Sequence, residues 1–490
     1  MGCTTILVGK KASYDGSTMI ARNDDSGGSH FTPKKVVVVL PEEQPVHYKS
    51  VNSHVEVELP GSPMRYTAAP NAVEGKGIWA ASGVNEAGVG MTATETITSN
   101  PRVLGADPLV VFQPAEGENP EVPGGIGEED LVTLVLPYIH SAREGVQRVG
   151  ALLEQYGTYE MNGMAFQDRD EIWWLETIGG HHWIARRVPD EMYAVIPNQF
   201  GMDEFDLEDA LGAQREYMCS ADLREFVQDN HLNLSRDGEF CARDIFGSHD
   251  DSDHAYNTPR AWDALRYLNP TTYNWYGEDA DYTPISNDIP WGLVPEKKLT
   301  VEDVKYVLSA HFQDTPYDPF ATYGDGSLRG AYRAIGINRT DFLSVIQMRP
   351  DAPVVEWVAF GSNVFNVLVP LYADVCEMPD YLACTTGEVS TDSFYWTSRM
   401  IGAMADASYK QSLIHIERYQ EKMMAKGHEL IGRYDRLLAA ESDAEKSMQL
   451  RQEANRQMAA VLQKNAAQTL DHVLYELSGR MKNAFARSDA

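Results

Sequence analysis

Met1-Gly2-Cys3-Thr4-Thr5-Ile6-Leu7-Val8, then Gly9 through Ser17, then Thr18-Met19-Ile20-Ala21-Arg22-Asn23-Asp24-Asp25 is the stretch from which the chain is read. Thr4 to Val8 is β-branched and apolar, which predicts a strand. Asp15-Gly16 signals a turn, and Thr18 to Ala21 returns as a second strand. A hairpin folded about the middle of the loop pairs positions that sum to roughly 25. Cys3 then faces Arg22 at the open end, with Asp25 just beyond. A thiolate is the reactive form of cysteine, and a neighbouring guanidinium favours it. If the residues before Cys3 are removed, its own α-amine, with a pKa of about 7.7–8.0, can serve as general base. The plainer alternative is a small buried strand residue, which a free cysteine usually is.

The chain has 490 residues, 43% of them hydrophobic, ample for a large core. No run of eighteen apolar residues occurs, so no transmembrane helix is expected. No secretory signal is evident. The start resembles a myristoylation site, but Ile6 stands where Ser or Thr is required. A cytoplasmic protein is expected. The formal charge of −31 argues against nucleic acid or an anionic membrane as partner. Five scattered cysteines, Cys3, Cys219, Cys241, Cys376 and Cys384, suggest neither a disulfide framework nor a zinc knuckle.

Residues 36–40 and 51–59 read as strands, and 77–92 as two strands joined by Asn85-Glu86-Ala87-Gly88. Residues 97–126, rich in Pro, Gly and Glu, read as a long surface loop of functional weight. Gly127-Glu128-Glu129-Asp130 predicts an acidic first turn of a helix running through Ile139. Ser141 to Tyr156 predicts a second helix. Four strands follow between 163 and 196, and 331–348 and 352–360 are strand-like again. From about residue 391 the pattern turns helical, over Met404–Leu438 and Ser442–Phe485. An antiparallel helical hairpin is expected there, docked on the body or at the subunit interface of a homo-oligomer. Antiparallel sheets covered by paired helices is the natural architecture.

His181-His182 invites a metal reading, but neighbours on a strand point to opposite faces. His249 and His254 flank an acidic run that lacks the Gly and terminal Glu of a calcium loop. Neither is read as a metal site, and no cofactor is expected. Asn198, after a strand, could donate to an oxyanion. Asn257 or Thr258 is expected to cap a helix with Pro259 at its first position, placing Arg260 against the favourable dipole direction.

These residues carry a resemblance. Cys3 to Lys10, Asp15 to Arg22, Ser141-Ala142-Arg143-Glu144-Gly145, Gly180 to Ala185, Pro197-Asn198-Gln199, Tyr256 to Arg260 and Val369-Pro370-Leu371-Tyr372 resemble the C69-family dipeptidases. These are cysteine peptidases of the N-terminal-nucleophile group, related to secernins, penicillin V acylase and bile salt hydrolases. The resemblance spans Cys3 to roughly Arg399. It implies a four-layer αββα sandwich within the α+β class. Residues 1–2 would be removed, 3–390 would form the catalytic domain and 391–490 a helical extension. It also implies roles. Cys3 is the nucleophile; Arg22 and Asp25 contact the thiol and freed amine; Asn198 is the oxyanion asparagine; Arg260 orders the site. The acylase relatives carry a further asparagine where this chain has Glu95. Glu95 is therefore a candidate for a substrate's ammonium group, with Asp24 beside it. The expected activity is intracellular hydrolysis of unblocked dipeptides with broad specificity, through a thioester on Cys3. An N-acyl amidase and a catalytically silent secernin-like protein are the alternatives.

Overall fold

The computed structural model describes residues 2–28, 30–248 and 250–483. Thr4–Val8 pairs antiparallel with Thr18–Asp25, and Thr5, not Cys3, faces Arg22. The register is two residues off the expected one because the loop does not fold about its middle. Gly9 O takes the Ala12 and Ser13 amides in a compact turn, which moves the fold point toward the second strand. A slip of two preserves the face. Cys3, two residues from Thr5, still shares the side of the sheet that carries Arg22.

This hairpin is the centre of a seven-stranded antiparallel sheet. Its order is Gly292–Leu293, Tyr193–Ile196, Thr4–Val8, Thr18–Asp25, Thr340–Met348, Val355–Phe360 and Val369–Tyr372. A second antiparallel sheet runs Tyr217–Cys219, His182–Arg187, Ile172–Ile178, Asn162–Gln167, Gly90–Thr92 and Ser82–Val84. Glu95–Thr96 adds to it beside Asn162–Gln167.

Alternation along the strands distributes the core. Leu7, Ile20 and Ile346 of the first sheet join Ala165, Trp174 and Ile184 of the second in one buried cluster. The opposite faces take helices. Ile6, Val8 and Val345 pack with Trp262, Val304, Ile401, Met423 and Leu462. Met164, Phe166 and Trp173 pack with Leu134, Val146 and Leu153. The chain is thus α+β, with antiparallel sheets and a C-terminal helical region.

Several elements differ from their sequence reading. The expected strand 51–59 is only Glu56–Glu58, because His54 sits at φ 59° and the Val51 and Asn52 amides turn to the Glu129 carboxylate. The helix from Leu131 ends at Val135 and tightens into a 3₁₀ turn, Leu136–Tyr138, around Pro137. Its acidic leader does not serve the dipole: Asp130 takes the Gly127 amide and the Tyr48 hydroxyl. Ser141 caps Ala142–Tyr156 as expected. Within the expected loop 97–126, Asn100 caps a short helix, Pro101–Ala106.

The C-terminal region is Phe394–Ala407, Tyr409–Ala439 and Ala444–Ser478, and Phe485 lies outside the described residues. The last two helices form the expected hairpin and lie on the first sheet. Asn455 bonds both the amide (2.8 Å) and the carbonyl (3.0 Å) of Tyr372 on the edge strand. Gly427 passes over Pro370 and Trp357, and Arg349 pairs with Asp435. An edge that would otherwise offer free backbone groups is covered. Among the described residues no helix is long and apolar enough to cross a membrane.

Candidate active site

Cys3 lies at the open end of the hairpin, 1% exposed, on the face between the two sheets. Arg22, equally buried, reaches back along that face. Its Nη2 stands 3.0 Å from Cys3 Sγ, 2.6 Å from Glu128 Oε1 and 3.4 Å from Asp24 Oδ1. The other Asp24 oxygen is 3.0 Å from Lys34 Nζ, which also donates to Trp79 O. Burial alone would raise the Asp24 carboxyl; Lys34 and Arg22 outweigh it and hold the group below its usual range. Burial pushes the Cys3 thiol up, and Arg22 opposes this without overcoming it. Burial thus works against the thiolate, and attack calls for a base that takes the thiol proton.

Glu95, on the facing sheet, accepts from Thr5 Oγ1 at 2.8 Å through Oε2 and is fully buried. Burial raises its carboxyl to about 8, against the pull of Arg260 and Arg22. Among the described residues Glu95 Oε1, Glu128 Oε2, Arg22 Nε and both Nε and Nη1 of Arg333 are buried with no hydrogen-bond partner. Unpaired buried polar atoms are costly, and three of these groups, Arg22, Glu95 and Glu128, are charges that act on the Cys3 thiol.

Asn198 follows the strand Tyr193–Ile196. Its Nδ2 donates to Thr96 O at 2.9 Å, and its Oδ1 accepts from Arg260 Nη2 at 2.7 Å. Arg260 sits in the first turn of Thr258–Leu268, fully buried. It bonds Tyr256 O, Cys3 O, Thr4 Oγ1 (2.6 Å) and Asn257 Oδ1 (2.7 Å). Burial and the nearby Arg333 press its pKa down to about 9. Asn257 does not cap this helix. Its backbone is already helical, and its amide holds Asn198 O and Asp253 instead.

The two neighbouring acids separate by strand parity. Asp24 shares the face of Arg22. Asp25 lies on the other face, bonded to Thr340 Oγ1 (2.6 Å) and to Arg333, which also holds Gly2 O. A cleft of 400 Å³ opens beside Asp24, lined by His30, Phe31, Lys34, Lys76 and Trp79. Segments 30–34 and 71–79 form it; no residue of the long 97–126 loop does. Glu128, Lys34 and Arg333 escaped the sequence reading. Glu128 looked like a helix leader, and the others stand in no motif.

His181 and His182 do converge, contrary to expectation, because Gly179 at φ 57° puts His181 in a turn rather than in the strand. Both Nδ1 atoms lie within 2.9 Å of Asp107 oxygens. Burial would raise Asp107; hydrogen bonds from His182 and His181 hold it at about 2. His254 bonds Asn287, and His249 lies outside the described residues.

Comparison with known proteins gives the family. Residues 2–422 match the profile of Peptidase family C69. The chain belongs to peptidase family C69. It is 53% identical over its full length to a protein named dipeptidase from Bifidobacterium longum (strain NCC 2705), with all of that protein covered. It is 50% identical to probable dipeptidase A of Streptococcus pyogenes serotype M3, again over both full lengths. Dipeptidase A of Lactobacillus helveticus is 42% identical, with 98% of this chain and 97% of that protein covered.

Proposed function

We propose that this C69-family chain is a cytoplasmic dipeptidase of broad specificity for unblocked dipeptides, in which Cys3 becomes the N-terminal residue and the nucleophile. The observation that carries the reading is the Arg22 guanidinium 3.0 Å from Cys3 Sγ inside a buried cluster of charges. The stacked sheets with helices outside fit the four-layer αββα sandwich of N-terminal-nucleophile hydrolases.

In this account the free α-amine of Cys3 takes the thiol proton as Sγ attacks the scissile carbonyl. Arg22 stabilises the thiolate as it forms. Asn198 Nδ2 commits one N–H to Thr96 O and offers the second to the tetrahedral oxyanion, while Arg260 on Asn198 Oδ1 fixes the amide's orientation. The amine returns the proton to the leaving group. Water then hydrolyses the thioester. Glu95 Oε1, buried without a donor, receives the substrate's ammonium, and Asp24 and Lys34 line the 400 Å³ cleft. An acidic side chain with one acceptor left free favours a free amine, whose charge would ionise it, over the acyl group that an amidase of the acylase branch would take. The test is kcat/KM on one dipeptide, its N-acetyl form and the corresponding tripeptide. A large preference for the free dipeptide is expected; comparable values on all three overturn the reading.

A further inference from the structure

Gly2 is held by a residue that has no part in the dipeptide hydrolysis set out above. Arg333 is 331 positions away in sequence, and its side chain is 6% exposed. Its Nη2 donates both to the Gly2 carbonyl oxygen and to Asp25 Oδ2. Asp25 is anchored in turn by Thr340 Oγ1 at 2.6 Å. The remaining Arg333 nitrogens, Nε and Nη1, are buried without partners. Gly2 has no Cβ, and the guanidinium fills that place: an added Cβ would lie 2.8 Å from Nη2 and 3.2 Å from Cζ. On the other side of the peptide bond, Arg260 Nη1 holds Cys3 O. A guanidinium therefore grips the carbonyl on each side of Cys3 N.

A buried cation on a carbonyl oxygen does little for a resting amide and much for the negative charge that appears there on attack. Cys3's own thiol is the nucleophile that covalent connectivity brings to the Gly2 carbonyl carbon, its attack closing a five-membered ring. We propose that Arg333, positioned by Asp25, is the oxyanion group for self-cleavage of the Gly2–Cys3 bond. This rests on Cys3 being the N-terminal nucleophile.

The step balances without a co-reactant other than water. Cys3 Sγ bonds to the Gly2 carbonyl carbon, and the oxygen carries the charge against Arg333. The C–N bond then breaks, and the Cys3 nitrogen takes up the thiol's proton and becomes an amine. Water hydrolyses the resulting thioester, releasing the segment that ends in Gly2 as a carboxylate and returning the thiol.

The experiment is a time course of intact mass on purified full-length protein, for the wild type and for Arg333→Gln, Arg333→Lys and Cys3→Ala. The wild type is expected to lose everything before Cys3. Arg333→Gln is expected to process about 10²–10³ slower, the usual cost of one oxyanion donor. Arg333→Lys should be faster than Arg333→Gln, and Cys3→Ala should retain Gly2. Wild-type processing in Arg333→Gln, or loss of Gly2 from Cys3→Ala, overturns the proposal. A second pair of chains lacks Gly2, so that methionine removal alone frees Cys3. In that background Arg333→Gln should hydrolyse dipeptides within a few-fold of its parent. An inactive variant beside an active parent assigns Arg333 to the later reaction or to folding, and also overturns the proposal. Inactivity of the parent itself, with Cys3 confirmed as N-terminal, contradicts the dipeptidase mechanism rather than the role of Arg333.

Discussion

Glu95 Oε2 accepts a hydrogen bond from Thr5 Oγ1 at 2.8 Å while its Oε1, equally buried, accepts none. The two residues belong to different sheets, so the bond fixes an acceptor across the gap from the Cys3 strand. Glu95→Gln keeps the shape and removes the acid that would ionise against the substrate's ammonium. It should raise KM for free dipeptides by tenfold or more, with a smaller effect on kcat. Steady-state kinetics on one dipeptide check this, and an unchanged KM assigns Glu95 to structure alone.

Cys3→Ala should abolish hydrolysis, and Cys3→Ser should be severely impaired because a hydroxyl is a weak nucleophile at its free pKa. Ala at Cys219, Cys241, Cys376 or Cys384 should leave activity largely intact. A thiol alkylator should inactivate the enzyme and a chelator should not. Chelator-induced loss restored by zinc would shift attention to His249 and His254.

Asn198→Ala should lower kcat by about 10²–10³ with little change in KM, as expected for one donor that acts mainly in the transition state. Arg260 would lose its Oδ1 acceptor in that variant, so thermal stability should be measured alongside. A fall in kcat that merely tracks unfolding would remove Asn198 from the oxyanion role.

The start of this site was legible because its signal is local. Strand-forming residues flank a turn, and the period of two places Cys3 and Arg22 on one face even when the register slips by two. Asn198 and Arg260 were found from motifs, and the structure brings them within 2.7 Å. Glu128, Lys34 and Arg333 were not found. Their roles depend on contacts across long sequence separations, and no periodicity encodes those. Asp24 and Asp25 could not be told apart until the pairing with Thr340–Met348 fixed their faces. Helix lengths failed where a single residue decides them, as Pro137 does, and a turn at Gly179 undid the strand argument for His181.

Asn455→Ala should destabilise the fold without touching the chemistry. It strips both partners from the Tyr372 backbone on a buried edge, at about 1–3 kcal/mol for each group left unsatisfied. Thermal unfolding should show a clearly lower Tm, and kcat/KM per folded molecule should stay near the wild-type value.

Glu176 sets a pH dependence. It is fully buried, accepting from Trp174 Nε1 and the Gly201 amide, and burial raises its carboxyl to about 7. Between its ordinary value of 4.5 and about 7 the folded chain holds a proton that the unfolded chain has lost, so its contribution to stability falls as pH rises through that window. Glu176→Gln removes this fall. Relative to the wild type, the variant should gain Tm at pH 8 over its standing at pH 5. An identical difference at both pH values would contradict the assignment.

A free α-amine at Cys3 acting as base for its own thiol is the centre of the proposed mechanism. The most direct test pairs N-terminal sequencing and intact mass with specific activity on a single dipeptide, across preparations processed to different extents. Activity should rise in proportion to the fraction of chains beginning at Cys3 and vanish where that fraction is zero. Full activity in a preparation whose chains uniformly begin at Met1 would contradict it.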